Sequence, residues 1–139
     1  MLITRITDGK RYQFATHIND MLLPREQAEA VEVFLVIIEP GQYTHAHAHS
    51  GNEQVYYVIS GAGKATHIVA DGHIEEYALS PGDVVYIPRH EEHQIFCAGD
   101  EPLRYLCVDG FADKSAEKPT WDEHYDAVIA RQAKQGQEQ

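Results

Sequence analysis

The sequence predicts an all-β sandwich or barrel with one helix at its C-terminal end. Short β-branched or alternating runs recur at intervals of about ten residues, the rhythm of all-β architectures. Turn signals separate them, among them Asp71-Gly72, Pro81-Gly82 and Ala98-Gly99-Asp100. The one clear helical pattern comes last, after Thr120. Strands that follow one another without intervening helices argue against a βαβ fold.

Residues 1–20 hold one or two short strands, interrupted at Asp8-Gly9, and residues 21–30 form a polar loop around Pro24 with a brief helical turn. Val31 to Ile38 is β-branched and almost wholly apolar, the pattern of a strand covered on both faces, and Pro40-Gly41 ends it. Further strands are expected at Thr44–His49, Gln54–Ile59, Lys64–Ala70, His73–Leu79, Asp83–Ile87, His93–Cys97 and Leu103–Val108. Asp71-Gly72 is the strongest hairpin signal, and residues 98–102 read as a second hairpin. A polar linker, 110–118, leads to the helix. Thr120 is its N-cap and Glu123 completes a capping box. Trp121, Tyr125, Val128 and Ile129 share one helical face, so the helix is expected on the outside of the β body, ending near Gly136.

The chain of 139 residues is the size of one domain. One domain over 1–139 is expected, with the barrel core about 31–111 and the helix about 120–135. Acidic residues number 22 against 11 basic, a formal charge of −11. That balance disfavours nucleic acid and anionic membrane as partners, since both need a basic surface. Two cysteines, Cys97 and Cys107, are too few for a disulfide framework. Both are expected inside as small core residues, unbridged, because a turn at 98–102 pairs Cys97 with a residue nearer 104. No apolar leader follows Met1 and no run is long enough to span a bilayer, so a cytoplasmic, reducing setting is expected.

Chemistry concentrates between Gly41 and Gly61. His45, His47 and His49 alternate, and alternating residues on a strand share a face. Glu53 and Gln54 follow, and each is a candidate oxygen donor. Gln54 is in phase with Tyr56 and Val58, whereas Glu53 is in phase with Val55 and Tyr57. Neutral imidazoles converging with an oxygen donor suit a divalent transition metal. The remaining histidines His17, His67, His73, His90 and His124 have no partners at ligand spacing and are expected at the surface.

The spacing also resembles a known family. Gly41, five residues, His47, one residue, His49, four residues, Gln54, six residues, Gly61 is similar to the first motif of the cupin superfamily, with Gln in place of the usual Glu. Gly82, five residues, Pro88 and then His93, four residues after Arg89, resembles the second motif. His90 stands where that motif has glycine, and Cys97 where it has Asn. The resemblance implies a small single-domain cupin of the cupin_2 type, with the double-stranded β-helix (jelly-roll barrel) that cupins share. It implies His47, His49, Gln54 and His93 as metal ligands, with Glu53 as the alternative oxygen donor and His45 as a neighbour at the barrel mouth. One divalent transition metal per chain (Fe, Mn, Ni, Zn, Co or Cu), a small-molecule substrate and a homodimer follow from the same likeness.

Three imidazoles and a carboxamide leave the ion its full double charge, which favours anionic chelating substrates and Lewis-acid chemistry. Proton transfer then needs a further group, and Tyr105, Asp109 and His45 are the candidates, with Glu53 and Tyr56 behind them. Asp109-Gly110-Phe111 looks like the barrel end of small sugar-acid cupins that linearise unsaturated uronates, although Lys114 does not match their downstream basic residue in register. An isomerase or lyase acting on a small oxygen-rich anion such as a sugar acid is therefore the leading expectation. A dioxygenase cleaving a chelating dicarbonyl or enol is the second, and a non-catalytic small-ligand-binding cupin the third.

Overall fold

The structure, a computed structural model, describes residues 1–113 and 120–137. In chain order the strands are β1 (Lys10–Gln13), β2 (Ile18–Leu23), β3 (Val31–Ile38), β4 (Asn52–Ser60), β5 (Gly63–Ile68), β6 (Ile74–Leu79), β7 (Val84–Ile87), β8 (Glu92–Cys97) and β9 (Leu103–Phe111), followed by the helix α1 (Trp121–Gln137). Six of them form a sheet in the order β1-β2-β3-β9-β4-β7, and three a second sheet in the order β6-β5-β8. All the pairings are antiparallel. The all-β jelly-roll expectation holds: two facing sheets enclose the core, with one helix at the C-terminal end. Lys114 and most of the 110–118 linker lie outside the described residues, and β9 runs on through its first two positions.

Alternation decides which side chains face inward. Along β4, Asn52, Gln54, Tyr56 and Val58 are buried, while Glu53, Val55 and Tyr57 are exposed. Strand β3 is closed off on both faces at its centre, where Phe34, Leu35 and Val36 are all buried. Cross-strand register turns this pattern into rows. Ile38 lies beside Leu103 at the wholly apolar end, and Phe34, Cys107 and Tyr56 form a middle row. Glu32, Asp109 and Gln54 form a polar row nearer the open end. The inner face of the large sheet thus grades from hydrocarbon to hydrogen-bonding groups.

Two backbone positions show why particular residues stand in the motifs. Gly61 has φ +83°, and a Cβ there would lie 2.3 Å from the Pro102 carbonyl oxygen. Any side chain would force β4 away from the start of β9. His90 occupies the position where the second motif carries glycine, and it does adopt the left-handed region, with φ 72°. Its N–H donates to the His49 carbonyl at 2.7 Å, which ties the Pro88 turn to the histidine segment.

Three sequence expectations need correction. Thr44–His49 does not form a continuous strand; it runs beside β8 with isolated bridges Tyr43↔Phe96 and His47↔His93. The reason is local, because the Thr44 hydroxyl accepts the Ile95 N–H at 3.0 Å in place of a backbone carbonyl and breaks the ladder. Residues 98–102 do not close a hairpin, since β8 pairs with β5 whereas β9 pairs with β3 and β4. That segment carries the chain from one sheet to the other, so Cys97 and Cys107 lie in different sheets, both buried and unbridged.

The third correction concerns α1. Thr120 is the N-cap, accepting the Glu123 N–H at 3.2 Å, but the helix continues past Gly136 to Gln137. It does not pack on the outer surface. Its apolar face covers the open end of the β body, where Phe14 and Phe34 would otherwise meet water. Trp121 lies 5.1 Å from Phe34 and 5.6 Å from Tyr12, and Tyr125 lies 5.4 Å from Phe14, as ring centroids. Asp122 anchors the first turn through Lys10 Nζ at 2.5 Å and the Tyr12 hydroxyl at 2.9 Å. Among the described residues no helix is long and apolar enough to cross a membrane.

Candidate metal centre

The histidine segment is positioned by its pairing with β8. His47 N–H donates to the His93 carbonyl at 3.0 Å, and His93 N–H returns the bond to the His47 carbonyl at 2.9 Å. Such a pair sets both side chains on one face of the ladder. The ring centroids of His47 and His93 are 4.5 Å apart, and His49 lies 4.8 Å from His47.

Backbone carbonyls fix the tautomers of two rings. His47 Nδ1 donates to the His45 carbonyl at 2.6 Å, and His93 Nδ1 donates to the Glu91 carbonyl at 2.9 Å. A carbonyl can only accept, so both protons sit on Nδ1 and both Nε2 lone pairs are presented to the interior. Burial, reinforced by the neighbouring imidazoles, lowers the His93 pKa to about 4 even though the Glu91 carbonyl raises it. The ring is therefore neutral at physiological pH, the form a metal requires. Behind it, the Glu91 carboxylate lies 3.2 Å from His67 Nε2.

The ligand atoms of His47, His49 and His93 all lie within 4.8 Å of one another. Metal–imidazole bonds of about 2.1 Å place two donors at most about 4.2 Å apart. The set would thus close on one ion with a movement of less than about 1 Å, so the residues present fit a divalent transition metal. His45 is exposed, lines the cavity and stays outside this triad, where its carbonyl orients His47.

Gln54 projects into the same cavity and is buried. Its Nε2 donates to Asp109 Oδ1 at 2.7 Å, which turns its oxygen the other way. That Oε1 accepts the Tyr56 hydroxyl at 2.7 Å, and Tyr56 Oη is itself 3.4 Å from His93 Nε2. The Tyr56 hydroxyl thus lies near both the carboxamide oxygen and the His93 ring. Glu53 points to the outer face, where it accepts the Tyr86 hydroxyl at 3.2 Å, so the structure does not bring it together with the histidines.

Asp109 Oδ1 also accepts from Asn52 Nδ2 at 3.2 Å. Tyr105 stacks at a tilt on Tyr56, with centroids 4.6 Å apart, beside the buried Cys107. Burial first, then neighbouring groups, pushes both phenols and the Cys107 thiol well above their ordinary ranges, so all three stay protonated. Tyr105 and Asp109 both line the cavity.

The cavity holds about 680 Å³. Sequence reading passes over several of its groups. Glu32, the lone acid in an otherwise apolar strand, accepts Trp121 Nε1–H at 2.7 Å; its isolation in Val31–Ile38 is the signal that marks it. Asn19 is buried, with an Oδ1 that has no hydrogen-bond partner. His17 is not a surface residue, since it stacks on Phe14 with centroids 4.9 Å apart and faces the cavity. His124 also lines it and packs edge-on against Trp121. His67 is half-buried rather than exposed.

A two-sheet β body whose pocket gathers three histidines that could hold a metal ion is a jelly-roll architecture with a candidate metal centre. The cupin-domain family model matches residues 34–109, more than half the chain, and the protein belongs to the cupin family. It is 37% identical over 84 residues to an oxalate decarboxylase of Bacillus subtilis (strain 168), a match covering 58% of this chain and 22% of that protein. An L-ectoine synthase of Bordetella petrii is 42% identical over 71 residues, covering 51% of this chain and 50% of that protein. Among solved structures, the oxalate decarboxylase of Lactobacillus farciminis in its formate complex superposes with a TM-score of 0.68 at 25% identity, covering 80% of this chain and 33% of that one. The chain thus matches between about a fifth and about a half of the length of these relatives.

Proposed function

We propose that the protein is a metal-dependent enzyme of lyase or isomerase type. In this reading His47, His49 and His93 through Nε2, with Gln54 through Oε1, hold one divalent ion and act on a small oxygen-rich anion. The observation that carries the reading is the convergence of His47, His49 and His93, whose ligand atoms lie within 4.8 Å of one another, with Gln54 in the same cavity and its amide nitrogen committed to Asp109. An ion in a wholly neutral donor set keeps its double charge and polarises a bound carbonyl or carboxylate. The Bacillus subtilis oxalate decarboxylase, a related protein, has Mn(II) centres, and manganese is the first ion to test.

The chain's own residues then divide the remaining work. Asp109, oriented by two amide donors, is the proton acceptor within the polar row, and Tyr56 is a hydroxyl donor within reach of the same space. Tyr105 closes the floor and excludes water. His45 is exposed at the mouth and meets the ligand as it enters.

The test uses protein made without a histidine tag. Metal content near one ion per chain is expected, with metal-dependent, oxygen-independent turnover in a panel of oxalate, α-hydroxy acids and unsaturated uronates. Protein that binds no divalent ion would overturn the reading, and oxygen uptake on turnover would make it a dioxygenase instead. The outer face of the large sheet exposes Val55, Tyr57, Val84 and Tyr86 as adjacent cross-strand pairs. A homodimer of the family kind would cover them, and sedimentation of the wild type against a Tyr57→Lys variant tests that expectation.

A further inference from the structure

We infer that the ligand has two parts: a chelating oxygen end, such as an α-hydroxy- or α-keto-carboxylate, and a planar apolar body, an aromatic ring or its equivalent, held under α1. The inference rests on the metal reading above and extends it to the other end of the cavity.

Size gives the first reason. A cavity of about 680 Å³ is in the range that takes a drug-sized ligand, and a two- or three-carbon acid fills only a small part of it. Lining gives the second. The donors for an ion are confined to the end formed by the histidine segment and β4. Phe14, Phe34, Trp121 and Val128 line the same cavity, with Arg25, Arg131 and Gln132 also on its wall, and more of that wall is apolar than polar. A hydroxyl set against the rings of Phe14, Phe34 and Trp121 finds no partner there, which costs free energy, whereas an apolar body gains by covering them.

The third reason is the arrangement of the rings. Trp121 is set at 57° to Phe34 and 46° to Tyr12, and its indole N–H is already committed to Glu32. What it can offer a ligand is therefore ring surface and not a hydrogen bond. His17, stacked parallel to Phe14 at 18°, extends the apolar wall with a flat neutral imidazole. A ring entering this space meets aromatic faces and edges in the offset and tilted geometries that such pairs favour. Asn19 Oδ1 on that wall is buried and has no hydrogen-bond partner among the described residues, and it suits a single donor on the ligand's body, such as a ring N–H or hydroxyl.

The chain contains one tryptophan, and Trp121 is that residue. Its fluorescence therefore reports directly on the ring end of the cavity. The experiment compares lactate with phenyllactate, which share one chelating end and differ by the ring, on manganese-loaded and on chelator-treated protein. Binding is followed by calorimetry and by Trp121 emission. Phenyllactate should bind the loaded protein about 30-fold more tightly than lactate, the gain expected from burying a phenyl group. It should also shift Trp121 emission where lactate does not. Val128→Asp should reduce the ratio to below about threefold, leaving metal content unchanged.

Equal affinity for the two acids on the loaded wild type would overturn the inference, and that comparison decides the point without any variant. If the metal reading alone is wrong, the protein takes up no ion and binds no lactate, yet phenyllactate still shifts Trp121. If the ring end alone is wrong, metal content and lactate binding are intact and the ring confers no gain.

Discussion

His47 and His93 exchange both backbone hydrogen bonds, at 3.0 and 2.9 Å, although 45 positions of chain separate them. This one pair joins the two halves of the candidate centre. It sets two imidazoles side by side before any ion arrives, and each ring is pinned through Nδ1 by the carbonyl two residues before it. Removing one member should therefore cost metal without unfolding the sheet. His93→Ala protein, made without a tag, should retain less than about a tenth of the wild-type metal by elemental analysis while keeping its strand content by circular dichroism. Glu53→Gln should retain all of it, because Glu53 sits on the outer face against Tyr86. Undiminished metal in the His93 variant would refute the ligand assignment.

His17 supplies a pH prediction. Its pKa is lowered from 6.5 to about 4, by burial first and then by the nearby imidazoles of His47 and His45. The folded protein binds this proton less readily than the unfolded chain, so stability falls as pH falls. The stabilisation is complete above the unfolded value of 6.5, is lost between 6.5 and about 4, and changes no further below that. The loss is on the order of 3 kcal/mol. His17→Phe, which preserves the stack on Phe14, should remove this part of the acid sensitivity. Urea unfolding in chelator at about pH 7.5 and about pH 4.5 measures it; equal slopes for the two proteins would count against the burial of His17.

The strands were legible in the sequence because alternation and turn residues are local signals, and seven of the eight strands expected from Val31 onward form, as β3 to β9. Gln54 was legible for the same reason, since its phase with Tyr56 puts it inside and puts Glu53 outside. What was not legible depended on partners far away in the chain. Ala98 to Pro102 carries the same turn residues whether the chain returns along its own sheet or crosses to the other. Thr44 is a good strand former, and only the position of Ile95 makes its hydroxyl replace a carbonyl. The helix was legible as a helix, but its place over the cavity depends on Phe14 and Phe34 being left uncovered by the sheets.

The bond from Trp121 Nε1 to Glu32 Oε2, at 2.7 Å, joins the first turn of α1 to a buried carboxylate on β3. Trp121→Phe keeps ring contact with Phe34 and removes that donor. The bond is made by a buried carboxyl group, which makes the loss worth about 1–3 kcal/mol in urea unfolding. Loss of less than about 0.5 kcal/mol would mean that ring packing alone holds the helix down. Glu32→Gln preserves an acceptor oxygen and should cost less than Trp121→Phe.

Gln54→Glu tests the neutral centre most directly. In the wild type, Gln54 Nε2–H donates to Asp109 Oδ1 at 2.7 Å. An ionised glutamate has no donor, so the substitution sets two carboxylates against each other inside the protein, with Asn52 still serving Asp109 at 3.2 Å. Both cannot ionise freely, and one carboxyl pKa must rise in the folded state. The folded variant then binds a proton that the unfolded chain gives up, and its stability declines as pH rises through that raised value. Metal-free Gln54→Glu protein should be less stable than wild type by about 1–3 kcal/mol near pH 8, with a smaller deficit near pH 5. Divalent metal should erase the deficit, because the ion neutralises the added charge, and the variant should bind that metal at least about tenfold more tightly. The same added charge weakens the ion as a Lewis acid, so turnover per bound metal should fall. Metal affinity unchanged by the substitution would mean that the Gln54 oxygen does not face the ion, and a variant equally stable at both pH values would mean that Asp109 does not hold the amide.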